Sequence, residues 1–144
     1  MVRIHHSQPR CLCFKKFTAK SFFIWYNLHT DIKAWLSEFT HAWSIHEIDK
    51  VLSLFDRDVE YWETPHKQLH SFEELKNEWQ SIVFQKDIQL KISLYSSIDD
   101  RHTVIWYLKY LDQKHKRQTW SGTYLATLNK EGLCTYFHHT GEKM

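Results

Sequence analysis

Apolar residues recur at helical spacing through Ile32, Trp35, Leu36, Phe39 and Trp43, and again through Ile48, Val51, Leu52 and Phe55 after a break at Ser44-Ile45-His46. Two short helices are therefore predicted, feeding an aromatic strand that ends at Pro65. Ser71-Phe72-Glu73-Glu74 has the form of a capping box. The Ser71 hydroxyl can accept from the Glu74 amide while the Glu74 carboxylate reaches back to the Ser71 amide. A third helix should start there, with Leu75, Trp79, Ile82 and Val83 as its buried stripe.

Beyond that helix the period changes from 3.6 to 2. Ile88, Leu90, Ile92 and Leu94 alternate with polar residues, the pattern of a strand with one wet face. Ser96 to Arg101 reads as a turn, and Thr103 to Leu111 is apolar on nearly both faces, which predicts a central strand covered on each side. Gln118 to Leu128 is interrupted by Gly122, where a bulge or bend is expected. Asn129 to Gly132 supplies a hairpin turn before a last strand from Leu133 to His139. Strands joined by hairpin-length turns give a largely antiparallel sheet packed on helices, an α+β fold.

The order of these elements, the helix end at Leu54-Phe55, the strand end Tyr61-Trp62-Glu63-Thr64-Pro65 and the closing turn Gly132-Leu133-Cys134 resemble the nuclear-transport-factor-2-like superfamily, and within it the SnoaL-like (polyketide-cyclase-like) domain. The resemblance covers roughly residues 29 to 139, the size of one domain. It implies a cone-shaped, strongly curved, mostly antiparallel sheet wrapped around the N-terminal helices, enclosing one apolar pocket, often in a homodimer. It does not imply one activity, because this fold carries isomerases, cyclases, dehydratases, transport adaptors and domains with no known chemistry.

Composition suits one compact domain over residues 29–144: the chain has 144 residues, 42% of them hydrophobic, enough for an ordinary core without disulfides. Its seven tryptophans suit a cavity wall as well as a core. No apolar run approaches the about 20 residues that span a bilayer, so no membrane partner is expected. The net charge of +2 conceals an asymmetry. Residues 1–28 carry Arg3, Arg10, Lys15, Lys16 and Lys20 and no acid, hence +5, while the remaining 14 basic and 17 acidic residues give −3. A mildly acidic domain argues against nucleic acid as partner. The basic segment, with its short Phe22-Phe23-Ile24-Trp25-Tyr26 run, is read as an N-terminal extension expected to lack order unless docked. A targeting peptide and a membrane-surface arm are the alternatives.

Cys11, Cys13 and Cys134 form no disulfide framework, so a reducing cytoplasm is the default compartment. Cys11-Leu12-Cys13 beside His5-His6 has the ligand types for zinc, but a structural site needs ordered geometry. His66 and His70 fall in a loop, and the adjacent His138 and His139 must point to opposite faces of a strand. No metal and no cofactor are expected.

Against the superfamily's steroid isomerases, the resemblance sets Phe39 where they carry a tyrosine donor, Thr64 where they carry the proton-shuttling aspartate, and Tyr124 where they carry a second, protonated aspartate. Phenylalanine donates no hydrogen bond and threonine is no base near neutral pH. The isomerase mechanism is therefore disfavoured. Other acid/base candidates are Glu63 (with Glu60) on the first strand, His41 (with His46) near the first helices, and His138 on the last strand. A histidine and a carboxylate converging on an apolar pocket suit proton abstraction beside a carbonyl, as in a cofactor-free isomerase, cyclase or dehydratase. For Glu63 an exposed carboxylate beside Pro65 is the alternative, and for His138 a satisfied sheet-edge histidine.

Trp35, Phe39, Trp62, Thr64, Trp106, Trp120 and Tyr124 are the predicted pocket residues, gripping a small apolar or aromatic ligand. Trp120, Gly122 and Tyr124 share one strand face, as Trp62 and Thr64 share another. Trp43 and Trp79 are read as packing. The competing function class is a non-catalytic interaction module with a filled cone, homodimerising through an outer sheet face that carries Ser93, Tyr95, Thr103, Tyr107, Lys109, Thr119, Ser121 and Thr123.

Overall fold

The computed structural model describes the backbone of residues 19–144 and the side chains from residue 32 onward. The first 18 residues of the basic extension, with Cys11, Cys13, His5 and His6, lie outside the described residues. Helix α1 spans Ala19–Ser44, so it begins inside the segment assigned to the extension, and α2 spans Ile48–Ser53. The strands are β1 (Phe55–Thr64), β2 (Lys67–Leu69), β3 (Lys86–Ile98), β4 (Arg101–Leu111), β5 (Arg117–Leu128) and β6 (Cys134–Lys143). Helix α3 (Phe72–Trp79) and a 3-10 turn (Gln80–Phe84) separate β2 from β3.

One six-stranded sheet has the order β2-β1-β6-β5-β4-β3, antiparallel except for the β1–β6 pair. The fold is α+β, with a curled sheet whose concave face packs on the helices. Trp35, Phe39, Phe55, Tyr61, Tyr124 and Phe137 form its aromatic centre, Phe39 stacking on Trp35 at 4.9 Å and Tyr61 on Phe137 at 5.0 Å. The Trp35 indole N–H donates to the Leu54 carbonyl (2.9 Å), fixing α1 to the end of α2.

Several local expectations change. Phe55 is not the last helical residue: α2 stops at Ser53, and Phe55 begins β1 with its ring in the core. The short strand β2 is additional, pairing Leu69 with Tyr61. Ser71 caps α3, accepting from the Glu74 amide at 3.1 Å, but the Glu74 carboxylate accepts from the His70 amide (2.7 Å), one residue ahead of the predicted donor. Val83 is exposed because the chain tightens into the 3-10 turn, which keeps only Ile82 of that turn in the core. Strand β4 is interior to the sheet, yet only its inner face is covered, and Ile105 on the outer face is 48% exposed.

Gly122 makes no bulge, since β4 and β5 pair without a break through Trp106–Gly122. Its role is close approach. A Cβ there would run into the backbone carbonyl oxygen of Thr140 on β6, so only glycine lets the two strands come together where Gly122 faces Gly141.

Candidate functional site

The concave face leaves an open cavity of about 220 Å³ at one end of the aromatic core. Alternation along each strand decides who faces it. From β1 come Tyr61 and Glu63, from β4 Trp106, Leu108 and Tyr110, from β5 Trp120 and Tyr124, and from β6 Phe137 and His139. Trp43 of α1, Glu78 and Trp79 of α3, and Ser81, Ile82 and Gln85 beyond it close the helical side. Gln85 is tied down twice: its side-chain oxygen accepts from the Trp43 indole (2.8 Å) and its carbonyl from His46 Nε2 (2.7 Å).

Of the residues read from the sequence, Trp106, Trp120, Tyr124 and Glu63 line this cavity. Trp35 and Phe39 do not reach it, because they are spent in the core behind, against Phe55 and Phe137. Trp62 and Thr64 stand on the opposite face of β1. The Trp62 indole donates to Glu60 there (2.8 Å) and its ring lies 6.2 Å from that of His138, while the exposed Thr64 accepts from the His66 amide at 3.2 Å. His138, paired in register with Trp62, is outside the cavity with it, and His41 is exposed on α1.

Tyr61 and His139 are among the lining residues not named for the pocket from the sequence, and Trp43 and Trp79, buried in the core as packing residues, also touch the cavity. Val59, Tyr61 and Glu63 alternate along the inner face of β1, and Phe55, at its start, is buried in the core. His139 follows from Phe137, the most buried residue of β6 after Cys134, two positions earlier.

His139 Nδ1 lies 3.5 Å from Glu63 Oε1, with the two side chains 24% and 21% exposed. A carboxylate facing Nδ1 favours the tautomer protonated there, leaving Nε2 with a free lone pair. His139 Nε2 is buried and meets no hydrogen-bond partner among the described residues. The imidazole lies 5.1 Å from the Trp106 ring and 5.4 Å from Tyr124, which are themselves stacked at 5.4 Å. A Cβ on Gly141 would collide with the Trp106 ring and come within 3.1 Å of His139 Nε2, so that glycine keeps the two side chains in place.

Burial pushes both the Tyr61 and Tyr124 hydroxyls well above their ordinary pKa, and the Glu63 charge adds to the effect. Both remain neutral donors across the physiological range. The indole N–H groups of Trp79, Trp106 and Trp120 are buried without an acceptor among the described residues. Glu78, the other acid at the wall, is paired with Lys67 at 2.8 Å. Among the described residues no cluster of three or more His, Cys, Asp or Glu is placed to hold a metal ion, and no helix is long and apolar enough to cross a membrane.

Neither a protein-family model nor a curated protein matches the sequence. Solved structures do match the fold. An NTF2-like protein of unknown function from Exiguobacterium sp. 255-15 superposes with a TM-score of 0.64 at 17% identity, over 75% of this chain and 98% of its own. Delta 5-3-ketosteroid isomerase from Mycobacterium sp. gives 0.66 at 12% identity, over 79% and 98%. A Mycobacterium tuberculosis protein in complex with estradiol-17β-hemisuccinate gives 0.63 at 15%, over 75% and 91%. The chain has the nuclear-transport-factor-2-like fold shared by these proteins.

Proposed function

We propose that the protein binds a compact, largely apolar ligand carrying a carbonyl group in this cavity, and that His139 and Glu63 move a proton on it. The observation that carries the reading is the Glu63–His139 pair at 3.5 Å in the wall of an aromatic cavity. With Nδ1–H turned to the carboxylate, Nε2 takes a proton from the carbon beside the carbonyl. The electron pair of that C–H bond shifts to the carbonyl oxygen, giving an enolate whose charge neutral donors of the cavity stabilise. Return of the proton to another carbon is an isomerisation, and attack of the enolate carbon on a second carbonyl closes a ring. The cavity is smaller than the roughly 300–1,000 Å³ of pockets for drug-sized ligands, which favours a ligand of one or two rings.

The test uses indanone, a compact ring ketone, in heavy water, following loss of its α-proton signal by NMR. The protein should accelerate exchange, with His139→Gln abolishing the acceleration and Glu63→Gln reducing it roughly 10²-fold or more. Exchange at the buffer rate, or an unaltered rate in His139→Gln, overturns the assignment.

A second reading concerns the outer face of the sheet. Ile105 and Leu125, 48% and 42% exposed, are diagonal neighbours there, since Ile105 pairs with Thr123 and Thr103 with Leu125. Two apolar side chains side by side on an uncovered sheet support a homodimer through that face. Sedimentation velocity should then give a dimer that Ile105→Lys combined with Leu125→Lys converts to monomer.

A further inference from the structure

The cavity holds donors that its own acceptors do not satisfy. An indole N–H can donate and cannot accept. Trp79, Trp106 (3% exposed) and Trp120 all line the cavity with Nε1 buried and without an acceptor among the described residues, but Trp79 stands on the helical side beside the Tyr61 hydroxyl, which leaves Trp106 and Trp120. They belong to one surface: Trp106 pairs with Gly122 and Leu108 with Trp120, so the two indoles are diagonal neighbours on the inner face of β4 and β5. Of the two residues flanking that diagonal, Leu108 and Gly122, the glycine opposite Trp106 carries no side chain. The Tyr61 hydroxyl, by contrast, stands beside the Glu63 carboxylate and has an acceptor at hand. The two buried indole N–H groups are thus without an acceptor, a deficit that a ligand oxygen reaching between the rings would remove.

Charge narrows the class further. Among the described residues no lysine or arginine lines the cavity, whereas Glu63 and Glu78 do, Glu78 already being paired with Lys67. A ligand carboxylate would be desolvated beside Glu63 with no fixed cation to offset it. A neutral carbonyl oxygen accepts from both indoles without that penalty. We propose that Trp106 and Trp120 form a two-indole clamp for a neutral carbonyl oxygen, selecting ring ketones, quinones or lactones over the corresponding carboxylic acids. This rests on the proposed ligand site and names which groups recognise the oxygen. Trp106, in ring contact with His139, would hold that oxygen close to the base.

The experiment compares indanone, indane and indane carboxylate by isothermal titration and by the indole N–H signals in ¹⁵N-correlated NMR spectra. Two indole signals, identified by their loss in Trp106→Phe and Trp120→Phe, should move downfield with indanone and not with indane, and the carboxylate should bind at least about tenfold more weakly than indanone. In Trp120→Phe the indanone-to-indane affinity ratio should fall roughly fivefold to tenfold, the loss of one hydrogen bond. Should Trp106→Phe fail to fold, the signal shifts in the native protein still decide. An unchanged ratio, no selective downfield shift, or carboxylate binding equal to indanone overturns the clamp and leaves the Glu63–His139 assignment standing if proton exchange is accelerated. Exchange at the buffer rate with the clamp shifts present overturns the proton-transfer reading alone. No perturbation by any of the three compounds overturns both.

Discussion

Two glycines facing each other across β5 and β6 do different work, and substitution separates them. Gly122 needs its missing Cβ because the Thr140 carbonyl occupies that space, and a backbone atom in a paired strand cannot step aside. Gly122→Ala should therefore destabilise the fold by about 3 kcal/mol, read from urea denaturation. A cost below about 1 kcal/mol would mean that the strands separate more easily than their pairing implies. At Gly141 the obstacle is the end of the Trp106 indole, with His139 Nε2 next to it. That ring is packed against Tyr124 and His139, so it can yield only toward the cavity. Gly141→Ala should leave a folded protein whose indanone affinity drops roughly tenfold, a loss comparable to misplacing one good hydrogen bond to the ligand.

At the scale of elements, α3 depends on a cap of two hydrogen bonds, one from the Glu74 amide to Ser71 Oγ and one from the His70 amide to the Glu74 carboxylate. Since α3 has only eight residues, little else holds its first turn, and Trp79 at its other end stands in the cavity wall. Ser71→Ala should cost about 1 kcal/mol, seen as a fall in Tm of roughly 3 °C. An unchanged Tm would show that tertiary packing of Leu75 alone sets the helix. The cap was legible in the sequence because Ser-x-x-Glu acts over a single turn. The inner face of β1 was not, because Tyr61 and Trp62 give both faces an aromatic ring and no hydrophobic count separates them. Tertiary partners decide: Tyr61 stacks on Phe137, while Trp62 finds Glu60 and His138 outside. The same ambiguity chose His138 in place of His139, since adjacent histidines carry no signal of their own and inherit their faces from Phe137. On β5 the inner face was legible because Tyr124, Ala126 and Leu128 alternate with more polar or exposed residues, whereas on β4 the apolar Ile105 and Tyr107 hid which face is left uncovered.

For the molecule as a whole, the core that forms the cavity also buries three weak acids in their neutral forms: Tyr61, Tyr124 and Cys134. Burial raises the Cys134 thiol from 9.0 to about 12, with its Sγ–H directed to the Tyr136 carbonyl at 3.1 Å. Both tyrosines are held well above 10.0, chiefly by burial. The unfolded chain ionises these groups at their ordinary values while the folded chain keeps their protons. Between the unfolded and folded pKa the native state binds more protons, so stability falls as pH rises. The decline should begin near 9.0 with Cys134 and steepen above 10.0 as the two tyrosines join. Each such group contributes about 1.4 kcal/mol per pH unit. Lys50 and Lys67, raised by hydrogen bonds to Glu47 and Glu78, act in the same direction at the surface. Urea titrations between pH 8 and 11 should show this slope, and Cys134→Ala should remove the part that precedes tyrosine ionisation. A flat profile to pH 11 would mean that water reaches these side chains, and the dry aromatic wall on which the cavity's donors depend would have to be abandoned with it.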